Sequence, residues 1–307
     1  MEYNGILCID KPQDFTSFDV VAVLRGILGT RKIGHAGTLD PMATGVLPTF
    51  IGKATRCCDL MSNQDKRYTA CLRLGITTTT QDITGDILKQ EEVHISAEEF
   101  RNALKSFRGT IEQLPPMYSA VKVDGKRLYE LARQGKEVER PKRSVTIYEI
   151  RMLDFNEEKK EASIDVFCSK GTYIRTLCDD LGKLLGCGAT LVSLRRTIAA
   201  GFSLSQCHTL DELQKYKEKG TLGEVLLPIS SAFSGYESVT LSKTDAEKFQ
   251  NGVKLDIDSL NLPLDNDDLL SIYDDQDIFL GLGYIDFHLR KLRIKKLFHR
   301  YGEANIT

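Results

Sequence analysis

The stretch from residue 145 to residue 185 constrains the fold more than any other. Residues 145–153 and 162–168 read as two strands joined by the polar turn Asn156-Glu157-Glu158-Lys159-Lys160. The second runs through Lys170-Gly171-Thr172-Tyr173 into a helix whose apolar stripe is Ile174, Leu177, Leu181, Leu184 and Leu185, closed by Gly186. A strand feeding a helix through a tight glycine turn must pack one against the other, and such junctions commonly carry functional side chains. The same mixture recurs elsewhere. Residues 5–9 read as a short buried strand, and Thr16-Ser17-Phe18-Asp19 has the form of a capping box. The helix it opens carries Val20, Val21, Val23, Leu24, Ile27 and Leu28 and stops at Gly29. Tyr68, Ala70, Leu72 and Leu74 alternate with polar neighbours, which is strand periodicity. Ser96 and Glu99 cap a second amphipathic helix carrying Phe100, Leu104 and Phe107 before Gly109. Strands and helices are interspersed without a repeating βαβ period, which predicts an α+β (mixed α/β) fold with a mixed sheet flanked by helices.

At roughly 150 residues per domain, a chain of 307 residues suggests two domains. The composition shifts after residue 236. Residues 237–307 hold short β-like runs (270–273, 278–284, 292–297) around Gly281 and Gly283, so a small, mostly β C-terminal domain is expected after a domain spanning 1–236. No run approaches the roughly 18 apolar residues of a membrane helix. The N-terminus lacks the build of a signal or transit peptide, and a soluble, cytoplasmic protein is expected. Eight Cys are spread along the chain without a CxxC pair, which favours reduced core thiols over disulfides or zinc.

A net charge of -2 argues against a nucleic-acid partner only if the charges are evenly mixed. Residues 101–151 hold twelve Lys/Arg against six Asp/Glu, and residues 288–300 hold six Lys/Arg and no acid, a local +6 in each case. Residues 256–277 hold eight Asp and no Lys or Arg, so an acidic segment hides basic surfaces in the total.

Nucleotide motifs fail on spacing. Gly45 to Gly52-Lys53 has six intervening residues where a P-loop needs four, and Gly281-Leu282-Gly283 lacks the third glycine of a dinucleotide fingerprint. The most unusual stretch is 31–47, where three glycines (34, 37, 45) permit tight turns and Pro41 biases Asp40 toward an extended conformation. Its carboxylate is therefore presented from a rigid loop. Taken alone, an Asp before Pro in such a loop is ordinarily a turn residue, and His35 an ordinary loop histidine.

Read whole, residues 34–47, Gly-His-Ala-Gly-Thr-Leu-Asp-Pro-Met-Ala-Thr-Gly-Val-Leu, resemble the catalytic motif of the TruB family of tRNA pseudouridine synthases. Further similar segments follow in order: Asp10-Lys11-Pro12 with Thr16-Ser17, Lys66 with Tyr68, 114–120 with Gly125-Lys126, Lys170 to Arg175, and Leu194-Arg195-Arg196-Thr197. The resemblance covers about residues 3–232, and beyond it the chain only loosely resembles the family's PUA-like RNA-binding barrel. One departure is Asp14, where the family often has Gly, which puts the local turn geometry in question.

The resemblance implies isomerisation of uridine-55 in the T-arm of tRNA, by base flipping and without cofactor or metal. It implies that Asp40 is the catalytic nucleophile, although one carboxylate equally serves attack on the sugar, attack on the base or proton abstraction. Arg175 would keep that carboxylate ionised. Tyr68 would stack on the target base and take part in proton transfer, Tyr173 and Leu194 would wall the uracil, Lys11 would contact substrate, and His35 would fill the space the base vacates. The basic insertion at about 116–143, with Lys122, Lys126, Arg127, Arg133, Lys136, Arg140, Lys142 and Arg143, matches a mobile segment that closes over the T-arm through phosphate contacts. The 288–300 cluster would be a second contact, toward the acceptor stem, and the protein is expected to act as a monomer. A non-catalytic RNA-binding or tRNA-folding protein could keep the same surfaces without needing Asp40, Tyr68 and Arg175 together; a folding role can also coexist with catalysis. A synthase acting on another RNA is the third reading.

Overall fold

The computed structural model describes residues 3–123, 125–260 and 269–299, and says nothing of the Arg127 side chain. Asp265, Asp267 and Asp268 of the acidic segment and Arg300 of the basic cluster lie outside these residues. Among the described residues the larger sheet has ten strands. Its central run is Gly5–Lys11, Thr44–Ile51, Ala189–Ala199, Lys66–Leu74, Glu161–Cys168 and Arg143–Asn156. Cys207–His208 pairs parallel with Gly5–Lys11, and Thr44–Ile51 parallel with Ala189–Ala199, while the other pairings are antiparallel. This is the mixed sheet expected from strands and helices without a βαβ period.

Local sequence accounts for most of these elements. Thr16 caps the Ser17–Leu28 helix in a complete capping box with Asp19, and Gly29 ends it in the left-handed conformation. Val20, Val21, Leu24 and Ile27 pack on Leu7, Ile9, Leu47 and Ile51 of the sheet. Val23 and Leu184, expected on buried stripes, lie at the edges of their helices' apolar arcs and are exposed. Along Lys66–Leu74 buried and half-buried residues alternate strictly. Ala70, Leu72, Ile164, Val166, Leu177, Leu181, Phe100 and Leu104 form the core between sheet and helices on the opposite half of the molecule. All eight cysteines are free, and burial raises the pKa of Cys8, Cys57, Cys168 and Cys178. Among the described residues no helix is long and apolar enough to cross a membrane.

The insertion departs from the expected loop. Lys122–Val123 and Lys126–Arg127 form a small hairpin, followed by the short helix Leu128–Ala132, whose Leu128 is fully buried. Past residue 236, five strands among the described residues form a separate sheet. Leu270–Tyr273, Phe279–Asp286 and Lys291–Leu297 follow the three β-like runs closely, and the helix Lys243–Gln250 was not anticipated. The two sheets share a core. Phe279, Leu282 and Phe298 pack with Phe233 and with Ile6, Val46, Phe50 and Phe202. Arg56 Nη1 donates to Leu297 O at 3.0 Å, and Lys296 Nζ bridges Arg56 O and the Asp59 carboxylate.

Candidate active site

Asp40 sits in the loop between the strands Ile33–His35 and Thr44–Ile51, just before the Pro41-Met42 turn. That loop is tied down from several sides. Leu39 N donates to Ser17 Oγ at 2.9 Å, Asp14 N to Pro41 O at 2.9 Å, and Lys11 Nζ to Pro41 O at 3.1 Å. Asp14 makes its bond with φ 64, so an Asp adopts the left-handed turn that a glycine would take more easily. Gly45, at φ 100, lies so close to the neighbouring strand that a Cβ would run into the Arg196 backbone.

Arg175 stands one residue inside the helix Ile174–Leu184 that follows the Gly171 turn. Its Nε is 2.9 Å from Asp40 Oδ2, its Nη1 donates to Thr80 O at 3.1 Å and lies 3.7 Å from Asp82 Oδ2, and its Nη2 donates to Tyr118 O at 2.7 Å. The Asp40 side chain is 39% exposed and that of Arg175 only 5%, so the carboxylate faces the opening and the guanidinium backs it. Burial pushes the Asp40 pKa above its ordinary value; Arg175 pulls it down and the buried Asp82 raises it again.

Around this pair lies a cavity of about 260 Å³, lined by Asp40, Tyr68, Tyr173, Arg175 and Leu194 among others. The structure thus brings together five of the residues named from the sequence. Tyr68 is 7% exposed, and burial raises its pKa while the neighbouring Arg196 lowers it. Tyr173 is held by Gln113, whose side chain accepts from Tyr173 N at 3.0 Å and donates to Tyr173 O at 3.2 Å.

Other residues differ from expectation. Lys11 is fully buried, and its ammonium is taken up by the carbonyls of Pro12, Phe15 and Pro41. It is therefore a strut under the Asp40 loop instead of a substrate contact; burial lowers its pKa to about 8, against the pull of Asp40. His35 is half-buried on its short strand and is not among the cavity's lining residues. Burial and then Arg196 depress its pKa, which favours the neutral imidazole. Arg140 was expected on the RNA-facing surface, but its side chain is 12% exposed and donates to Pro115 O at 2.6 Å and Val138 O at 3.2 Å. It fastens the insertion. By contrast Lys122, Lys126, Arg133, Lys136, Lys142 and Arg143 are exposed, and among the described residues none of them forms a salt bridge.

The 288–299 cluster is different again. Arg290 pairs with Asp258, Lys291 with Asp256 at 2.7 Å, Arg293 with Asp286 at 2.9 Å and Lys296 with Asp59 at 2.7 Å. Only Lys295 of these cations is exposed without a salt bridge among the described residues. The acidic segment thus partly neutralises this cluster directly, and the expected second RNA-binding face is largely internally paired.

Sequence reasoning gave no role to several residues at the site. Asp82 is buried, accepts from Thr84 N and from the Thr80 and Thr84 hydroxyls, and belongs to no recognised segment; its Thr-x-Asp-x-Thr spacing was the available signal. Lys66 and Arg196 lay in recognised segments. Arg196 is fully buried, its Nε donating to Val46 O at 2.8 Å and its Nη2 to Gly37 O at 3.0 Å, which fastens the Asp40 loop to the strand beside Tyr68. Lys66 is buried beside it, with its pKa lowered to about 8 by burial and by Arg196. Among the described residues no group of three or more His, Cys, Asp or Glu is arranged to hold a metal ion.

A model of the TruB family pseudouridylate synthase N-terminal domain matches residues 25–174, and one of the tRNA pseudouridylate synthase B C-terminal domain matches residues 175–234. The tRNA pseudouridine synthase B of Alkaliphilus oremlandii is 43% identical over 96% of this chain and 98% of its own. The chain belongs to the TruB family. The tRNA pseudouridine synthase B of Bacillus pumilus is 46% identical over 82% of this chain and 83% of its own. As a member of this family the chain is a pseudouridylate synthase, an isomerase. Among solved structures, a Cbf5-Nop10-Gar1 complex matches with a TM-score of 0.75 at 27% identity, covering 96% of this chain and 85% of that one. An archaeal box H/ACA sRNP Nop10-Cbf5 complex matches with a TM-score of 0.72 at 25% identity, covering 97% and 86%. The α+β fold expected for a TruB protein is the fold present.

Proposed function

We propose that this TruB-family enzyme converts uridine-55 in the T-arm of tRNA to pseudouridine, with Asp40 as its catalytic group. The carrying observation is the Asp40–Arg175 pair at 2.9 Å, set in a cavity walled by Tyr68, Tyr173 and Leu194. The relatives' shared name, tRNA pseudouridine synthase B, supports tRNA as the substrate class. The reaction breaks the bond from C1′ to N1, turns the uracil, and joins C5 to C1′; C5 loses a proton and N1 gains one, so atoms balance without a redox partner.

Arg175 keeps Asp40 available as the anion despite burial. The exposed carboxylate oxygen then attacks the nucleoside or abstracts a proton from it. Tyr68 stacks on the base and Leu194 and Tyr173 bound it, while the flip out of the stacked loop costs on the order of a few kcal/mol. In this reading His35 occupies the space left in the RNA loop, and the exposed insertion cations neutralise phosphates. Residues 1–236 form the catalytic unit and 237–307 an accessory RNA-binding unit, and the protein acts as a cytoplasmic monomer.

The test is incubation of unmodified tRNA with wild-type protein and with Asp40→Asn, followed by chemical mapping of pseudouridine. The expected result is one product at position 55 with wild type and none with the variant. An active Asp40→Asn protein removes Asp40 from the chemistry, and product elsewhere removes the site assignment.

A further inference from the structure

Seven buried side-chain polar atoms among the described residues have no hydrogen-bond partner, and two belong to residues that line the cavity: Ser119 Oγ and Arg196 Nη1. Two other nitrogens of Arg196 already donate to Val46 O on the neighbouring strand and to Gly37 O in the loop. The Ser119 hydroxyl has no protein hydrogen-bond partner among the described residues, and the residue is only 5% exposed. A buried hydroxyl without a partner costs stability, and a native structure that keeps one invites a functional reason. Its neighbours sharpen the point. Ser119 N donates to Met117 O at 2.9 Å and Ser119 O accepts from Tyr129 N at 3.1 Å, so the backbone is fixed while the side chain stays free. The preceding carbonyl, Tyr118 O, accepts from the same Arg175 that pairs with Asp40.

We infer that Ser119 is a substrate-binding residue whose hydroxyl is satisfied by the polar edge of the flipped pyrimidine. This deepens the reading above and rests on it. A uracil edge alternates carbonyl acceptors with an N–H donor, and a serine hydroxyl can give one hydrogen bond and accept others by rotation. The base would thereby replace a missing bond, and the insertion that carries Ser119 would sense through it whether the cavity is filled. The residue favours a polar base edge; it does not by itself separate uracil from cytosine, since the hydroxyl can rotate to suit either.

The test compares wild type with Ser119→Ala on two T-arm stem-loops, one bearing the target uridine and one with an abasic nucleotide there. The variant should melt at the same temperature, because the hydroxyl has no protein partner to lose. Its single-turnover rate or its affinity on the uridine RNA should fall by roughly tenfold, the size expected for one lost neutral hydrogen bond. On abasic RNA its affinity should equal that of wild type. Unchanged rate and affinity on uridine RNA overturns the inference; so does an equal loss on both RNAs, which would mean that Ser119 acts through the insertion's fold. Failure of the substrate reading looks different: wild type itself would leave the T-loop uridine unmodified, and the Ser119 comparison can then be run on whichever uridine the enzyme does isomerise.

Discussion

Two stretches of this chain are each +6 by sequence, and in the folded protein they are different objects. In the insertion, six cations face solvent without a salt bridge among the described residues, and one, Arg140, is turned inward to hold the segment's base. In the C-terminal sheet, Arg290, Lys291, Arg293 and Lys296 are each paired with a carboxylate, three in the same sheet region and one across the interface on Asp59. A linear charge count treats a solvated cation and a paired one alike. A phosphate does not, since only the former can release counterions without first breaking an ion pair.

The largest expected effect breaks the first half of this comparison. Replacing Lys122, Lys126, Arg133, Lys142 and Arg143 together by Gln should weaken tRNA binding by about a hundredfold or more near physiological salt and flatten the salt dependence, by roughly one unit of slope for each phosphate no longer neutralised. Filter binding over a salt series reads both, and an unchanged slope would mean that these cations do not meet phosphates. Arg140→Ala should behave unlike its neighbours. Losing the bond to Pro115 O loosens the segment next to Tyr118 and Ser119, so the single-turnover rate should fall several-fold with little change in slope, and amide exchange across 115–140 should quicken. Should the variant instead act only on the slope, Arg140 belongs with the exposed cations.

The second half is tested by removing acids. Asp256→Asn with Asp258→Asn and Asp286→Asn frees three cations, which should raise non-specific RNA affinity several-fold and steepen its salt dependence. No change would show that this face does not approach RNA even when unpaired. A smaller effect is expected from Lys296→Ala, which removes the tie to Asp59 and Arg56 O between the two sheets. For a pair whose carboxylate is 69% exposed, about 1 kcal/mol or less of stability is expected to go, read by thermal melting, with tRNA affinity unaltered. The smallest effect concerns pH. Hydrogen bonds from Lys291, Arg293 and Lys296 hold the carboxyls of Asp256, Asp286 and Asp59 below their ordinary range. Their contribution is therefore fully present above the unfolded value near 4 and is lost as pH falls through the lower folded values. Acidification should loosen the 238–299 sheet while leaving the insertion's exchange rates unaltered, and loosening of both together would contradict the distinction.

Local chemistry explains why so much was legible. The capping boxes at Thr16 and Ser96, the alternation along Lys66–Leu74, and the strand–Gly171–helix junction are short-range patterns, and each has the predicted element in the structure. The exceptions share a cause. Val23 and Leu184 are apolar and fall one helical position outside the buried arcs of their helices, which leaves them exposed. The helix Lys243–Gln250 has only Ala246 and Phe249 buried, too few apolar residues to mark its period. At the site, Asp40 was visible through the resemblance of the contiguous motif at 34–47 to the TruB family, since its glycines and proline taken alone mark only a turn. Asp82 was not, because its approach to Arg175 brings a loop against a helix far away in the sequence.

By itself the sequence determined the strands, helices and caps, the mixed α+β class and the loop that presents Asp40, because these follow from period, turn chemistry and a contiguous motif. Tertiary structure decided which charges are free. Lys11, Arg140 and Arg196 carry the same charge as Lys122 or Lys142, yet each is bound to backbone carbonyls far along the chain or in a neighbouring turn. The same holds for Ser119, whose hydroxyl is left to the cavity because the fold buries it there and supplies no protein partner. A side chain's partners are set by what the fold brings within about 3 Å of it, and no local pattern encodes that distance.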